Sequence, residues 1–367
     1  MYYKSMIFFT LILLACNSRH YTLVVSANPK NFPDTVFISF EDMSSPKFEA
    51  LKKRYRLDTI FHGEKDELKR ILLLRHWIHQ KIKIDDYGPY AGDGTVESTL
   101  DEALKGHGFH CGYFSAIQNA ILNAYGYVTR CVLVDTGTPV DYMVGGGHHA
   151  VNEVWINSYH KWFLSDAKYD YHFEKNGIPL SALEIRDEYL KNKAADINLV
   201  VGPYKTIVVG LPEYNISTKE KLAGVYTWIS WYKYNNRYSN NPNDSADIIM
   251  YNDSYFKTHT WLWDGKPHWA YHTRYLHLVE DRNAIEWTPN TITANIAING
   301  DKASTELHSD TTNFKTYQIK EMPDGIWEDV SNNAVKKLKK DKYEWLFRLE
   351  NIAGVTGPEY KVMIEKE

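Results

Sequence analysis

Apolar residues recur at helical spacing in the first third of the chain and at strand spacing in its last third. From Asp66 to Ile84 the positions Leu68, Ile71, Leu74, Ile78 and Ile82 mark one helix face, closed by Asp85-Asp86-Tyr87-Gly88-Pro89. Ser45-Pro46 opens a shorter helix that reaches about Arg56. Ser98 or Thr99 caps another across Leu100 to Lys105, with Glu102 as the capping-box partner of Thr99. Phe114, Ile117, Ile121, Leu122 and Tyr125 form the stripe of a fourth helix, which Gly126 ends.

After that the period changes to two. Arg130 to Val134 is an apolar strand. From His149 onward, His149, Val151, Glu153 and Trp155 share one strand face, and Ala150, Asn152, Val154 and Ile156 the other. A hairpin at Asn157-Ser158 returns the chain through Lys161 to Asp166. Ser181 to about Lys193 reads as a helix, Leu199 to Leu211 as strand-like, and Asn235 to Asp247 as a polar loop. Alternation over Thr291–Ile298, Thr316–Lys320, Tyr343–Glu350 and Tyr360–Ile364 predicts an antiparallel β-sandwich of Ig-like type. VKKLKKDK, Val335 to Lys342, reads as a solvated turn between its strands. The expected fold class is α+β, a helix packed on an antiparallel sheet followed by this sandwich.

The N-terminus follows a different logic. Lys4 precedes an apolar run from Met6 to Leu14, about half of the roughly 20 residues a spanning helix needs, so it reads as a secretory signal. Leu13-Leu14-Ala15-Cys16 resembles the bacterial lipobox, whose cysteine becomes a lipidated first residue; an ordinary signal with an incidental cysteine is the rival reading. The expected organisation is a lipoprotein signal over 1–16, a tether over 17–35, a catalytic domain over 36–270 and the sandwich over 271–367. Such a chain would sit in a bacterial cell envelope, lipid-anchored and facing periplasm or exterior.

Composition narrows the partners. With 42 basic and 46 acidic residues, a net charge of −4 and no basic stripe, nucleic acid is excluded as an expected partner. The 44% hydrophobic content excludes global disorder. The chain is rich in aromatics, and Trp228, Trp231, Trp261, Trp263 and Trp269 either line a glycan or peptide groove or pack the junction between domains. Three cysteines, at 16, 111 and 131, do not make a disulfide framework; a Cys111–Cys131 bridge competes with two free thiols.

The candidate chemistry lies between Gly106 and Asp170. Cys111 falls at a helix start, where free N–H groups and the dipole favour an anion. The dipole supplies only about 0.3–1 kcal/mol, less than one pKa unit, so a thiol of pKa near 8.5 stays mostly protonated at pH 7. A histidinium is needed, and His149 is the residue that can supply it. Asp166, on the strand paired with that of His149, can orient the imidazole. His107, His110, Cys111, His148 and His149 also include zinc-type ligands, but no paired ligand spacing and no HExxH occur, so neither metal nor cofactor is expected.

GFHCGYFSAIQNAILNAYGYVTRCVLV, HHAVNEVW and KWFLSDAKYD together resemble the transglutaminase-like superfamily of papain-type cysteine enzymes. The resemblance covers about residues 60 to 190, including Ser181-Ala182-Leu183-Glu184. Gly126 and Arg130 match the family's turn, His149-Ala150 with Glu153 its His-Ala-x-x-Glu, and Trp162 with Asp166 its Trp-x-x-x-Asp. Val151 stands where many relatives carry Trp. The resemblance implies a papain-like core, with Cys111 as nucleophile, His149 as base and Asp166 as orienting carboxylate. Gln80 and Trp77 are candidates for the upstream oxyanion donor. It implies a thioester-forming peptidase or amidase acting on a peptide, protein or glycopeptide. The alternatives are a cross-linking glutamine acyltransferase and a non-catalytic surface lipoprotein that binds glycan or peptide.

Overall fold

The computed structural model describes residues 20–27, 39–136, 148–240, 247–259, 262–263, 266–267, 276–309, 313–352 and 354–367. The signal segment with Cys16, the Gly145–Gly147 run, Trp261 and Trp269 lie outside the described residues, as does the side chain of Trp263. The fold is α+β. Four α-helices lie between residues 39 and 128: α1 (Pro46–Tyr55), α2 (Glu67–Lys81), α3 (Val96–Leu104) and α4 (Cys111–Ala124).

Two helix boundaries differ from the sequence expectation. α2 ends at Lys81 because Lys83 and Ile84 pair in parallel with Gly108 and Phe109, which no local periodicity encodes. α3 begins at Val96 rather than near Leu100, and Thr95 is its cap, accepting from the Ser98 amide. Gly94, at φ +83°, turns the chain just before that cap. Thr99 donates to the Thr95 carbonyl inside the helix, and Glu102 pairs with Lys105 instead of capping.

α4 is the central helix. Phe114, Ile117, Ala120, Ile121 and Leu122 are buried, and their cluster takes in Leu51 of α1, Ile71, Leu74 and Ile78 of α2, and Val154, Ile156 and Phe163 of the sheet. That sheet has six strands in the order Leu276–Val279, Ile248–Tyr251, Trp228–Tyr232, Thr129–Asp135, His148–Ile156 and Lys161–Ser165. Its strands pair antiparallel except at the first pair. Val151 and Trp155 enter a second core on the opposite side from Val154 and Ile156, as period two requires. Helix α5 (Ala182–Asn192) contributes Leu183 and Ile185 to that second core and starts in a full capping box between Ser181 and Glu184.

The C-terminal region is a sandwich of a five-stranded and a three-stranded sheet, enclosing Ala303, Leu307, Trp345, Phe347, Val362 and Ile364. Three expectations change here. Tyr21–Ala27, read as tether, is a strand of the larger sheet, antiparallel to Tyr360–Lys366, with Tyr21 opposite Lys366 and Ala27 opposite Lys361. Leu276–Val279, assigned to the sandwich by sequence, belongs to the first sheet, and Ala284, Ile285 and Trp287 to its core. The first half of VKKLKKDK is strand, since Asn333–Lys337 pairs with Lys302–His308. Its exposed Lys residues disguised it as a turn. Trp228 and Trp231 are buried in core packing, not in a groove.

Candidate active site

Cys111 is the first residue of α4 and keeps partial exposure. The cap before it is His110, whose Nδ1 accepts the Gly112 amide at 3.0 Å. That fold-back needs glycine, because a Cβ at 112 would lie 2.8 Å from the His110 ring. Tyr90 packs on this turn, 4.8 Å from the His110 ring and 5.3 Å from that of Tyr113.

His149 and Asp166 arrive from neighbouring strands. In the register of the hairpin Asn152 faces Ser165, so the next residue, Asp166, lies diagonally across from His149 on the same face. Asp166 Oδ2 accepts from His149 Nε2 at 2.6 Å, and its Oδ1 accepts the Tyr169 amide at 3.0 Å. Both side chains are 1% exposed. With Nε2 on the carboxylate, Nδ1 is the imidazole nitrogen left for Cys111, and the charges of the two residues act on each other. The structure therefore bonds His149 to Asp166 and places Cys111 within reach of their charges.

The electrostatics favour the charged form. Burial pushes the Cys111 thiol up, but hydrogen bonds from His110 and His149 and the charges of His149 and Lys168 outweigh it, leaving it well below the ordinary thiol range. Burial pushes His149 down, yet the Asp166 charge and hydrogen bond, then those of Cys111, carry it up to about 9. Asp166 is held below the usual carboxylate range because His149 and the Tyr169 amide overcome its desolvation. A thiolate beside an imidazolium is the consistent state.

The other cysteine behaves oppositely. Burial pushes the Cys131 thiol up, and Asn152 donates to its sulfur at 3.6 Å. Cys111 and Cys131 are both free thiols, so the structure does not contain the bridge between them. The residues weighed as zinc ligands have separate duties: His107 lies 3.4 Å from Glu102, His110 caps α4 and His149 bonds Asp166. The upstream oxyanion candidates are also engaged elsewhere, Gln80 with His76 at 2.8 Å and Trp77 against Tyr55.

Several residues of the site were not singled out in the sequence. Lys168 is 2% exposed and donates to both carboxylate oxygens of Asp86, at 2.7 and 2.9 Å. Asp86 had been read only as part of a helix stop. Tyr169 lies between two spaces: its ring is 5.3 Å from that of His149 and 4.8 Å from that of Tyr214. Beyond it opens a cleft of about 460 Å³, lined in part by His76, His79, Asp170, Tyr204 and Tyr214. The only local signal was proximity to Asp166 in KWFLSDAKYD.

Residues 55–167, from the end of α1 to just past Asp166, match the family model of the transglutaminase-like superfamily. The chain carries a transglutaminase-like domain, a fold of cysteine-dependent enzymes and their relatives. A search of curated proteins finds no match to this chain.

Proposed function

We propose that the protein is a cysteine hydrolase of amide bonds in a peptide, protein or glycopeptide, acting outside the cytoplasm from a lipid anchor on Cys16. The observation that carries the catalytic part is the buried His149–Asp166 pair at 2.6 Å, whose charge acts on Cys111 at the start of α4. The anchor rests on Leu13-Leu14-Ala15-Cys16 following an apolar run. Among the described residues no helix is long and apolar enough to cross a membrane.

In this reading His149 holds the Cys111 proton, and the thiolate attacks the amide carbon. The tetrahedral oxyanion is met by the Cys111 backbone N–H at the start of α4. The imidazolium proton passes to the leaving nitrogen as the C–N bond breaks, which leaves a thioester. Water, deprotonated by His149, attacks the thioester carbon; the C–S bond breaks and the thiolate returns. Asp166 keeps the imidazole oriented and stabilises its charge throughout. An amine in place of water would give acyl transfer.

The test begins with the nucleophile. Iodoacetamide at neutral pH should label Cys111 selectively, and His149→Ala should suppress that labelling; equal labelling of both proteins rejects the ion pair. Release of ammonia or a new amine from peptides then separates hydrolysis from incorporation of a fluorescent amine into glutamine-containing protein. If Cys111→Ala leaves ligand binding and phenotype intact, the non-catalytic lipoprotein is the better account. Cys16→Ser should move the protein out of the membrane fraction.

A further inference from the structure

One buried lysine of the site has no part in the reaction above. Lys168 lies two residues after Asp166, and its Nζ sits 4.8 Å from the centre of the Tyr169 ring, which itself lies 5.3 Å from the His149 ring. Its partner Asp86 arrives from the opposite side of the site. Lys83 and Ile84 run beside Gly108 and Phe109, and the Asp85 amide continues the ladder by donating to the Phe109 carbonyl at 3.1 Å. One residue further along these parallel segments, Asp86 reaches the level of the α4 start. The Asp86–Lys168 pair thus joins the segment running beside the nucleophile to the turn that carries Asp166.

This joining has a consequence for the cleft. The loop after Asp86 leads through Tyr87-Gly88-Pro89 to Tyr90, which packs on His110 and Tyr113 at the mouth of the site. Lys168 and Asp86 are 2% and 9% exposed, so the pair is largely removed from water, where a surface pair would have little effect. A charge shielded in this way acts over several ångströms.

We propose that Lys168 is a positioning residue for the nucleophile: clamped by Asp86, it staples the loop bearing Tyr90 to the turn bearing Asp166 and holds a fixed positive charge beside the Cys111 sulfur. The proposal rests on Cys111 being the nucleophile. It adds a second cation to the imidazolium, built into the scaffold and independent of the proton that His149 shuttles. The groups whose electrostatics act on the sulfur are then His110 from the cap of α4, His149 from its strand, Lys168 from the turn, and Tyr90 and Tyr232 from the adjoining loop and strand. Asp86 offsets part of the lysine charge, so the two members of the pair have opposite effects on the thiol.

That opposition defines the experiment. Alkylation of Cys111 by iodoacetamide is followed against pH in the full chain, with the labelled peptide resolved by mass spectrometry so that Cys16 and Cys131 do not contribute. Lys168→Met, which keeps an unbranched apolar stem, should raise the alkylation midpoint by about one pH unit and slow labelling about tenfold at pH values below the wild-type midpoint. Asp86→Asn should lower the midpoint, because the lysine charge is no longer offset. Lys168→Arg keeps the charge and should stay near the wild-type midpoint. Loss of a merely structural staple would shift Lys168→Met and Asp86→Asn the same way, and that result, or an unmoved midpoint in Lys168→Met, overturns the proposal. A wild-type midpoint in the ordinary thiol range would instead reject the Cys111–His149 ion pair. A low wild-type midpoint that His149→Ala raises and Lys168→Met does not would reject the role of Lys168 alone.

Discussion

Arg130 and Glu153 face each other in the register of the Thr129–Asp135 and His148–Ile156 strands and close an ion pair with both side chains 1% exposed. Glu153 Oε2 accepts from Arg130 Nη2 at 2.6 Å and from Trp231 Nε1 at 2.7 Å, while Oε1 accepts the Ala182 amide at the start of α5 at 2.8 Å. Arg130 also donates to the Ile285 carbonyl at 2.6 Å and lies 4.1 Å from the Trp162 ring. One carboxylate thus ties two strands of the sheet to a third and to α5. Removing it strands a buried guanidinium, so Glu153→Ala should cost about 3–5 kcal/mol in denaturant unfolding. A loss below about 1 kcal/mol would mean that the pair is not structural.

The pH profile of turnover follows from two opposed shifts. Cys111 titrates below the ordinary thiol range and His149 near 9, so the ion pair persists between those limits. The kcat/KM of hydrolysis should rise on the acid side as Cys111 deprotonates and fall through about pH 9 as His149 loses its proton. The stability contributions run the same way. That of His149 is complete below its unfolded pKa of about 6.5 and is lost as pH rises through 9. That of Cys111 is complete above about 8.5 and is lost as pH falls through its folded value. A rate still climbing above pH 10 would contradict the assignment.

Asp166→Asn keeps the shape but replaces the charge that holds His149 in its protonated form. It should lower turnover by about 10²–10⁴-fold. It should also bring the alkaline limb of the profile down from pH 9. An unchanged limb would show that Asp166 does not set the His149 pKa.

His172 provides a titration that the reaction does not use. Its side chain is fully buried, with Nδ1 3.1 Å from Arg75 and Nε2 3.0 Å from Glu174. Burial, and then the Arg75 charge, push it down to about 4 in spite of Glu174. The native state refuses a proton that the unfolded chain accepts from about pH 6.5 downward, so stability should drop as pH falls from 6.5 toward 4. Urea midpoints for His172→Gln should show a shallower acid slope over pH 6.5 to 5. Parallel slopes for both proteins would remove His172 from the acid response.

The strand at Tyr21–Ala27 covers the edge formed by Tyr360–Lys366. A chain starting at residue 28 should unfold at a lower temperature and aggregate more than one starting at residue 20, because it exposes that edge and uncovers the core beside buried Tyr21. Equal melting temperatures would restore the view of this stretch as a plain tether.

Much of the site was legible because its pieces are local. A cysteine followed by a stripe at three-and-four spacing must lie at a helix start, and the alternation after His149 with a turn at Asn157-Ser158 must form a hairpin. Those patterns were enough for the α+β class and, with the three motifs, for nominating Cys111, His149 and Asp166. What failed locally failed where pairing partners lie far apart. The end of α2 was decided by Gly108 and Phe109, and the role of Tyr21–Ala27 by a strand more than 330 residues later.

The chain by itself determined the periodicities, the helix that presents Cys111 and the hairpin that carries His149 toward Asp166, since each depends on backbone preferences and apolar spacing over a few turns. Only the tertiary structure decided which charges surround the sulfur. Lys168 and Asp86 are 82 residues apart, and each looks like an ordinary polar residue of a turn until folding buries them against one another. Their effect depends on distance and exclusion of water, and neither quantity exists before the two segments meet.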